Sequence, residues 1–189
     1  MISPPVLDGG KTRLRPLTDG DLPVLVRWYN TREIRHWLHQ SERPPATIES
    51  IREHILRPVL EGRAVAWVIE AADGAPLGSL RLLEIDPHHG RCELGILIGE
   101  MDSLGQGYGT DAIRASLRYA FEDLELRRVG LITDADNPRG IRCYEKCGFA
   151  REGVLRANRL RYGEPVDMIA MSVLREEWLA AHGLERQHA

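Results

Sequence analysis

Three alternating glycines lie between an apolar strand and an amphipathic helix, in the stretch of sequence that most clearly indicates a binding site. Because glycine has no Cβ, another molecule can approach the backbone closely and φ can be positive. The first turn of a helix leaves N–H groups without intrahelical acceptors, and the helix dipole adds positive potential there. Such a turn can cradle a phosphate, so the stretch predicts a site for a phosphorylated cofactor. Its residues are Leu104, Gly105, Gln106, Gly107, Tyr108, Gly109 and Thr110.

Three nucleotide-binding patterns compete for this loop. A Walker loop needs a lysine directly after its last glycine, and none is present. A Rossmann fingerprint has the spacing Gly-x-Gly-x-x-Gly near a first strand, whereas these glycines read Gly-x-Gly-x-Gly in mid-chain. The third pattern is a coenzyme A loop, Gln/Arg-x-x-Gly-x-Gly/Ala, which residues 104–109 match except at Leu104. A glycine-rich turn without a ligand stays open at this point.

A second motif lies at residues 137–149, Asn-Pro-Arg-Gly-Ile-Arg-Cys-Tyr-Glu-Lys-Cys-Gly-Phe. It resembles the pattern Asn-x-x-Ala/Ser-x-x-x-Tyr-x-x-x-Gly-Phe of the GNAT superfamily of acetyl-CoA-dependent N-acetyltransferases. The order of the two motifs and the distance between them also resemble that family. The resemblance covers residues 12 to 178, and its departures are Leu104 and Gly140.

The resemblance implies an α/β (α+β) GNAT fold: a mixed, mostly antiparallel sheet of about seven strands flanked by helices, with strands four and five splayed apart. It implies acetyl-CoA as co-substrate and no metal. The pantetheine arm would pair with the backbone of the fourth strand, and the pyrophosphate would lie on the amides of residues 105–110. The resemblance thus assigns to the cofactor Ile96, Leu97, Ile98, Asn137 and the glycine loop.

The chemistry implied is attack of an amine on a thioester. Tyr144 would protonate the departing thiolate, since a phenol of pKa about 10 can donate to a thiolate whose thiol resembles that of cysteine. A packing aromatic is the alternative. Glu93 would accept the ammonium proton, although it could equally be a solvated strand residue or a partner of Arg91. Asp134 and Asp136 are rival carboxylates that could instead hold a cationic substrate.

The acceptor is less defined. Residues 13–17, Arg-Leu-Arg-Pro-Leu, resemble the branch of ribosomal-protein alanine and spermidine N-acetyltransferases, whereas residues 28–30 and 141–146 resemble aminoglycoside 6'-N-acetyltransferases. We therefore expect direct attack, in a ternary complex, by a small cationic amine (a polyamine or aminoglycoside) or a protein N-terminus. The alternative is a coenzyme A-binding sensor or interaction module without catalysis.

The composition agrees with one globular domain over residues 1–189, ending in a polar tail at 182–189. Apolar residues make up 43% and charged residues 28%, which excludes a disordered chain. The net charge of −3 argues against nucleic acid, and no apolar run is long enough for a membrane. Three cysteines and the lack of a signal-peptide pattern predict a cytoplasmic protein.

Periodicity predicts the elements that position these residues. Strands are expected at 12–16, 64–71, 77–85, 91–98, 128–133, 150–157 and 166–174, with helices between them. The helix after Thr47 should end near Pro58, and Asn137 should cap the helix that carries Tyr144. Arg156, Arg159 and Arg161 predict a solvated face that could also contact a partner subunit or coenzyme phosphates, so a homodimer is one option.

Overall fold

The computed structural model describes residues 4–38 and 41–182. The predicted polar tail lies outside the described residues except for His182. Within the described part, eight strands form one mixed sheet in the order β1-β2-β3-β4-β5-β6-β8-β7. The strands are β1 (Leu7–Asp8), β2 (Arg13–Pro16), β3 (Val65–Glu70), β4 (Pro76–Asp86), β5 (Arg91–Ile98), β6 (Arg128–Asp134), β7 (Ala150–Arg161) and β8 (Glu164–Leu174).

All neighbouring strands pair antiparallel except β5 and β6, which are parallel. The mixed, mostly antiparallel sheet flanked by helices is confirmed. It has one strand more than predicted, because the two-residue β1 pairs with β2 and is too short for a period-2 pattern to reveal. The predicted fourth and fifth strands are therefore β5 and β6.

Helices cover both faces of this sheet. They are α1 (Leu22–Asn30), α2 (Arg32–Trp37), α3 (Ile48–Ile51), α4 (Arg57–Leu60), α5 (Tyr108–Arg118), α6 (Pro138–Glu145) and α7 (Arg175–Ala181). Short 3₁₀ turns lie at Asp19–Asp21 and Met101–Ser103, and π turns at Arg52–Leu56 and Tyr119–Asp123.

The helix that begins after Thr47 extends slightly beyond the predicted end near Pro58. The helix passes through a π turn and continues to Leu60. In the π turn the N–H of Arg57 donates to the carbonyl of Arg52, five residues earlier. Pro58 then falls in the first turn of α4, where a missing N–H does not break the helix.

The core lies on both faces of the sheet, and β3 contributes to both. Val65, Trp67 and Ile69 pack into a cluster with α5, α6 and α7, whereas Ala66 and Val68 pack into a second cluster with α1 and α3. Since successive strand residues point to opposite faces, a strand buried on both sides reads as a continuous apolar run. The two clusters hold one set of helices on each side of the strands that carry the candidate site.

The β7–β8 hairpin is longer than predicted. β7 runs to Arg161 rather than residue 157, because a two-residue turn at Tyr162 and Gly163 connects it directly to β8. Both turn residues have positive φ, 53° and 82°, which matches the twist of a tight hairpin. Ala157, at φ 49°, lies within a register shift of the pairing. This extension carries Arg159 and Arg161 towards the candidate site.

Candidate active site

A wedge opens where β5 and β6 separate. Their pairing covers residues 91–93 and 128–130 and ends with Glu93 opposite Gly130. Beyond that point β5 continues beside β4, and β6 continues beside β8. The splayed strands expected from the resemblance are thus present. Along residues 94–98, the backbone groups directed away from β4 face the wedge, where an extended ligand can hydrogen-bond to them.

The glycine loop follows β5 and leads into α5. Gly105 and Gly107 have φ of 79° and 90°, a conformation that side-chain-bearing residues rarely adopt. Gly107 is the N-cap of α5, and its carbonyl accepts the N–H of Asp111 at 3.0 Å. The amides of Tyr108, Gly109 and Thr110 lie before this first helical bond, so they can bind an anion.

The strand, the loop and α6 converge at Gly109. A Cβ added there would lie 3.7 Å from the Cys143 sulfur and 3.8 Å from side-chain carbons of both Ile96 and Ile98. The Thr110 hydroxyl lies 3.3 Å from the same sulfur. Three segments that the sequence assigned separately to the cofactor are therefore neighbours. Cys143 at their junction was not among the predicted site residues.

Asn137 caps α6, as predicted. Its side-chain oxygen accepts the N–H of Gly140 at 3.0 Å, which leaves its amide nitrogen as a donor. A Cβ at Gly140 would lie only 2.7 Å from that nitrogen. The alanine or serine usual at this position would therefore push against the cap. The departure at Gly140 thus has a local structural reason: it gives the Asn137 carboxamide room to fold over the helix start.

Tyr144 lies one residue beyond Cys143 on α6. Its half-buried ring packs edge-on against Phe149, with 5.9 Å between centroids. Burial raises the pKa of the phenol, and the neighbouring Cys143 raises it further. The hydroxyl therefore stays protonated in neutral solution, as a proton donor must.

Glu93 stands at the fork of β5 and β6 and is exposed. It shares a strand face with Leu97, which packs into the cluster of α1 and α3. Ile96 and Ile98 face the opposite side, towards α5. Among the described residues, no ion pair engages Glu93, so its carboxylate is accessible from the α1 side of the wedge.

Asp134 and Asp136, at the end of β6, face two arginines of β7. Arg159 binds Asp134 through both Nε, at 2.6 Å, and Nη2, while Arg161 binds Asp136 at 2.5 Å. The side chains of Asp134 and Arg159 are only 1% and 8% exposed. The solvated face predicted for Arg159 and Arg161 is therefore wrong, because the long hairpin turns both guanidinium groups onto β6.

One of these arginines, Arg161, also contacts two residues of α2. Arg161 donates to His36 Nε2 at 2.7 Å and lies over the Trp37 ring at 5.4 Å. Burial lowers the pKa of His36, and Arg161 lowers it further, which favours the neutral imidazole that can accept this hydrogen bond. Sequence reasoning missed His36 because its partners lie 125 residues away.

The comparisons with known proteins agree with this geometry. Residues 11–150 match the family model described as Acetyltransferase (GNAT) domain. The chain belongs to the GNAT acetyltransferase family. It is 32% identical over 154 residues to aminoglycoside N(6')-acetyltransferase type 1 of Klebsiella pneumoniae, covering 75% of each chain. It is 29% identical over 167 residues to spermidine N(1)-acetyltransferase of Vibrio cholerae, covering 88% of this chain and 94% of the relative.

A solved structure shows the same fold. The crystal structure of spermidine N-acetyltransferase from Vibrio cholerae in complex with CoA and spermine superposes with a TM-score of 0.82. The sequences are 28% identical, and the match covers 89% of this chain and 98% of the other. The chain is therefore a GNAT N-acetyltransferase, and acetyl-CoA is its co-substrate.

The residues present fit that co-substrate. The left-handed glycines and the first amides of α5 are groups that can bind phosphates, and the amide nitrogen of Asn137 is left as a donor by the cap. Among the described residues, no cluster of His, Cys, Asp or Glu side chains could hold a metal. No helix in the described ranges is long and apolar enough to cross a membrane.

Proposed function

We propose that this single-domain GNAT enzyme catalyses direct transfer of the acetyl group to a primary amine within a ternary complex. When bound, acetyl-CoA supplies the acetyl group as an activated thioester. The observation that carries the proposal is the convergence of Ile96, Gly109 and Cys143 beside the wedge, with Tyr144 next along α6. This places a protonated phenol on the same helix as the Asn137 donor.

Each residue has one task in this proposal. Backbone groups of Ile96, Leu97 and Ile98 hold the extended arm, and the amides of residues 105–110 hold the pyrophosphate. Glu93, at the open fork, accepts the ammonium proton and so makes the amine nucleophilic. The Tyr144 hydroxyl gives its proton to the thiolate as it departs.

The acceptor we propose is a small cationic amine, with a protein N-terminus as the other option. The relatives named above as spermidine and aminoglycoside acetyltransferases support the small amine. A substrate role for Asp134 and Asp136 stays a prediction. It requires the substrate ammonium to compete with Arg159 and Arg161, which already bind these carboxylates.

An amine panel tests the proposal. Release of free thiol from acetyl-CoA should be stimulated by spermidine, spermine or an aminoglycoside such as kanamycin, and less by peptides that begin with the termini of ribosomal proteins. Initial-rate lines at varied concentrations of both substrates should intersect, as a ternary complex requires. Parallel lines would refute direct attack. Binding of acetyl-CoA without turnover by any amine would favour the alternative of a sensor without catalysis.

The homodimer and the cytoplasmic location stay predictions. β7 is an edge strand that exposes Val154, Leu155 and Leu160, a surface that a second copy could cover. Arg159 and Arg161 are engaged within the chain, which leaves Arg156 as the exposed arginine of that stretch. Sedimentation equilibrium of the protein and of its Leu160→Glu variant would test self-association, which the charge should weaken.

A further inference from the structure

The segment before β2 is tied to the helix that follows the glycine loop. The Asp111 carboxylate, in the first turn of α5, accepts N–H groups of Gly10, Lys11 and Thr12, each at 2.9 Å, and the Thr12 hydroxyl at 2.7 Å. A Cβ at Gly9 would lie 2.2 Å from the same carboxylate, so only glycine at this position lets the backbone approach Asp111 this closely. Residues about 100 positions apart are thereby held in register.

This attachment brings Lys11 to the glycine loop. Its ammonium donates to the carbonyl of Gln106 at 3.3 Å. A Cβ built on Gly107 would lie 3.7 Å from the same nitrogen. Residues 104–110 contain no lysine or arginine, so Lys11 adds a positive charge that the loop itself lacks. Lys11 is exposed, and its flexible side chain can turn from a carbonyl to an incoming phosphate.

The carboxylate that fixes the segment binds the backbone of Lys11 and not its ammonium. Partial burial acts to raise the pKa of Asp111, but the hydrogen bonds from Lys11 and Thr12 outweigh it and hold the pKa below its usual value. Asp111 therefore stays ionised in neutral solution, with both oxygens occupied by the segment. It holds the backbone of residues 10–12, while the Lys11 ammonium points towards the loop.

We infer that Lys11 binds the pyrophosphate of the co-substrate, and that Asp111 is the positioning residue that presents it. The inference rests on the proposed function, in which the amides of residues 105–110 hold that pyrophosphate. A compact ammonium beside a phosphate gives a charge-assisted hydrogen bond. Because Lys11 lies at Gly107, at the start of α5, the diphosphate is the ligand group it meets, rather than the 3'-phosphate on the ribose.

Calorimetric titration of CoA, dephospho-CoA and pantetheine tests the ligand group. Lys11→Ala should weaken CoA and dephospho-CoA alike by about 3- to 10-fold, and pantetheine should be unaffected. The loss should shrink as salt rises, because an exposed contact is screened. Lys11→Arg should keep most of the affinity. Arg13→Ala is the matched control, since it removes one exposed charge two residues away and should change nothing.

The possible outcomes separate the proposed function from the role of Lys11. If the parent protein binds none of these compounds, the proposed function fails. If the parent binds CoA and Lys11→Ala binds it equally well, only the role of Lys11 fails. A loss confined to CoA, with dephospho-CoA unchanged, would overturn the assignment to the pyrophosphate. An equal loss in Arg13→Ala would show a general charge effect and overturn the specific contact.

A double-mutant cycle tests the positioning role of Asp111. Asp111→Asn removes a negative charge near the phosphate site, which by itself favours anion binding. It also weakens the attachment of the Lys11 backbone, which opposes binding only while Lys11 is present. Asp111→Asn should therefore be more favourable for CoA affinity in the Lys11→Ala background than in the parent. Equal effects in both backgrounds would refute the positioning role.

Discussion

Replacing Tyr144 with phenylalanine tests the proposed mechanism most directly, because it removes one hydroxyl and keeps the ring against Phe149. A positioned proton donor contributes about 10²–10⁴-fold in rate. At about 1.36 kcal/mol per tenfold, that is roughly 2.7–5.4 kcal/mol of barrier. We expect kcat to fall by this factor. The KM for acetyl-CoA should change little, since the lost interaction matters as the thiolate leaves.

The assay is thiol release from acetyl-CoA with the best amine of the panel. Tyr119→Phe is the matched control: Tyr119 is another phenol with a raised pKa, but its ring packs on Trp67 of β3. Its kcat should stay within about twofold of the parent, the change expected of a packing residue. Because the pKa of Tyr144 is raised, the parent should lose no activity through phenol ionisation below about pH 10. If Tyr144→Phe keeps most of its kcat, Tyr144 is a packing residue and the reasoning is refuted.

Three further substitutions or modifications test the rest of the site. Glu93→Gln should lower turnover most at low pH, where free amine is scarce, and the turnover should recover partly as pH rises. Glu84→Gln, on the adjacent strand, is the charge-matched control. If the pH–rate profiles of Glu93→Gln and the parent overlay, Glu93 is a structural residue. Gly107→Val should weaken acetyl-CoA binding at least about tenfold, because a branched side chain would enter the phosphate cradle. Gly74→Val shares the positive φ but has open space around it, so it should lose stability only. The neighbouring Cys147 lowers the pKa of the Cys143 thiol, so its alkylation by iodoacetamide should rise at a lower pH than that of an ordinary cysteine and be slowed by CoA. An increase only above pH 8 would contradict this.

Much of the site could be predicted from the sequence because it depends on local backbone conformations that particular residue types favour. Gly105 and Gly107 adopt positive φ at the start of a helix, and Asn137 occupies an N-cap followed by proline at the first helical position. Each of these requirements is met within a few residues, so the sequence records it directly. The same holds for β5, whose observed limits, Arg91–Ile98, are those predicted from its apolar pattern.

The contacts that sequence reasoning missed are all long-range. Lys11 reaches the loop only because Asp111 holds its backbone from about 100 residues away. Arg159 and Arg161 look like surface residues by composition, and only the length of the β7–β8 hairpin decides that they fold onto β6. Nothing in the local pattern of either segment encodes its partner, since charged residues of this kind are exposed in most settings.

The buried Arg159–Asp134 pair also bears on which carboxylate an acceptor amine meets. Removing one partner of a buried ion pair costs about 3–5 kcal/mol, and Asp134 and Arg159 are almost fully enclosed. A substrate ammonium that displaced Arg159 would have to offset that cost before it gained any affinity. Glu93 carries no such cost, because it is exposed where β5 and β6 part. We therefore predict that an acceptor amine reaches Glu93 more readily than Asp134. In this prediction Asp134 binds Arg159 and so ties β7 to the end of β6.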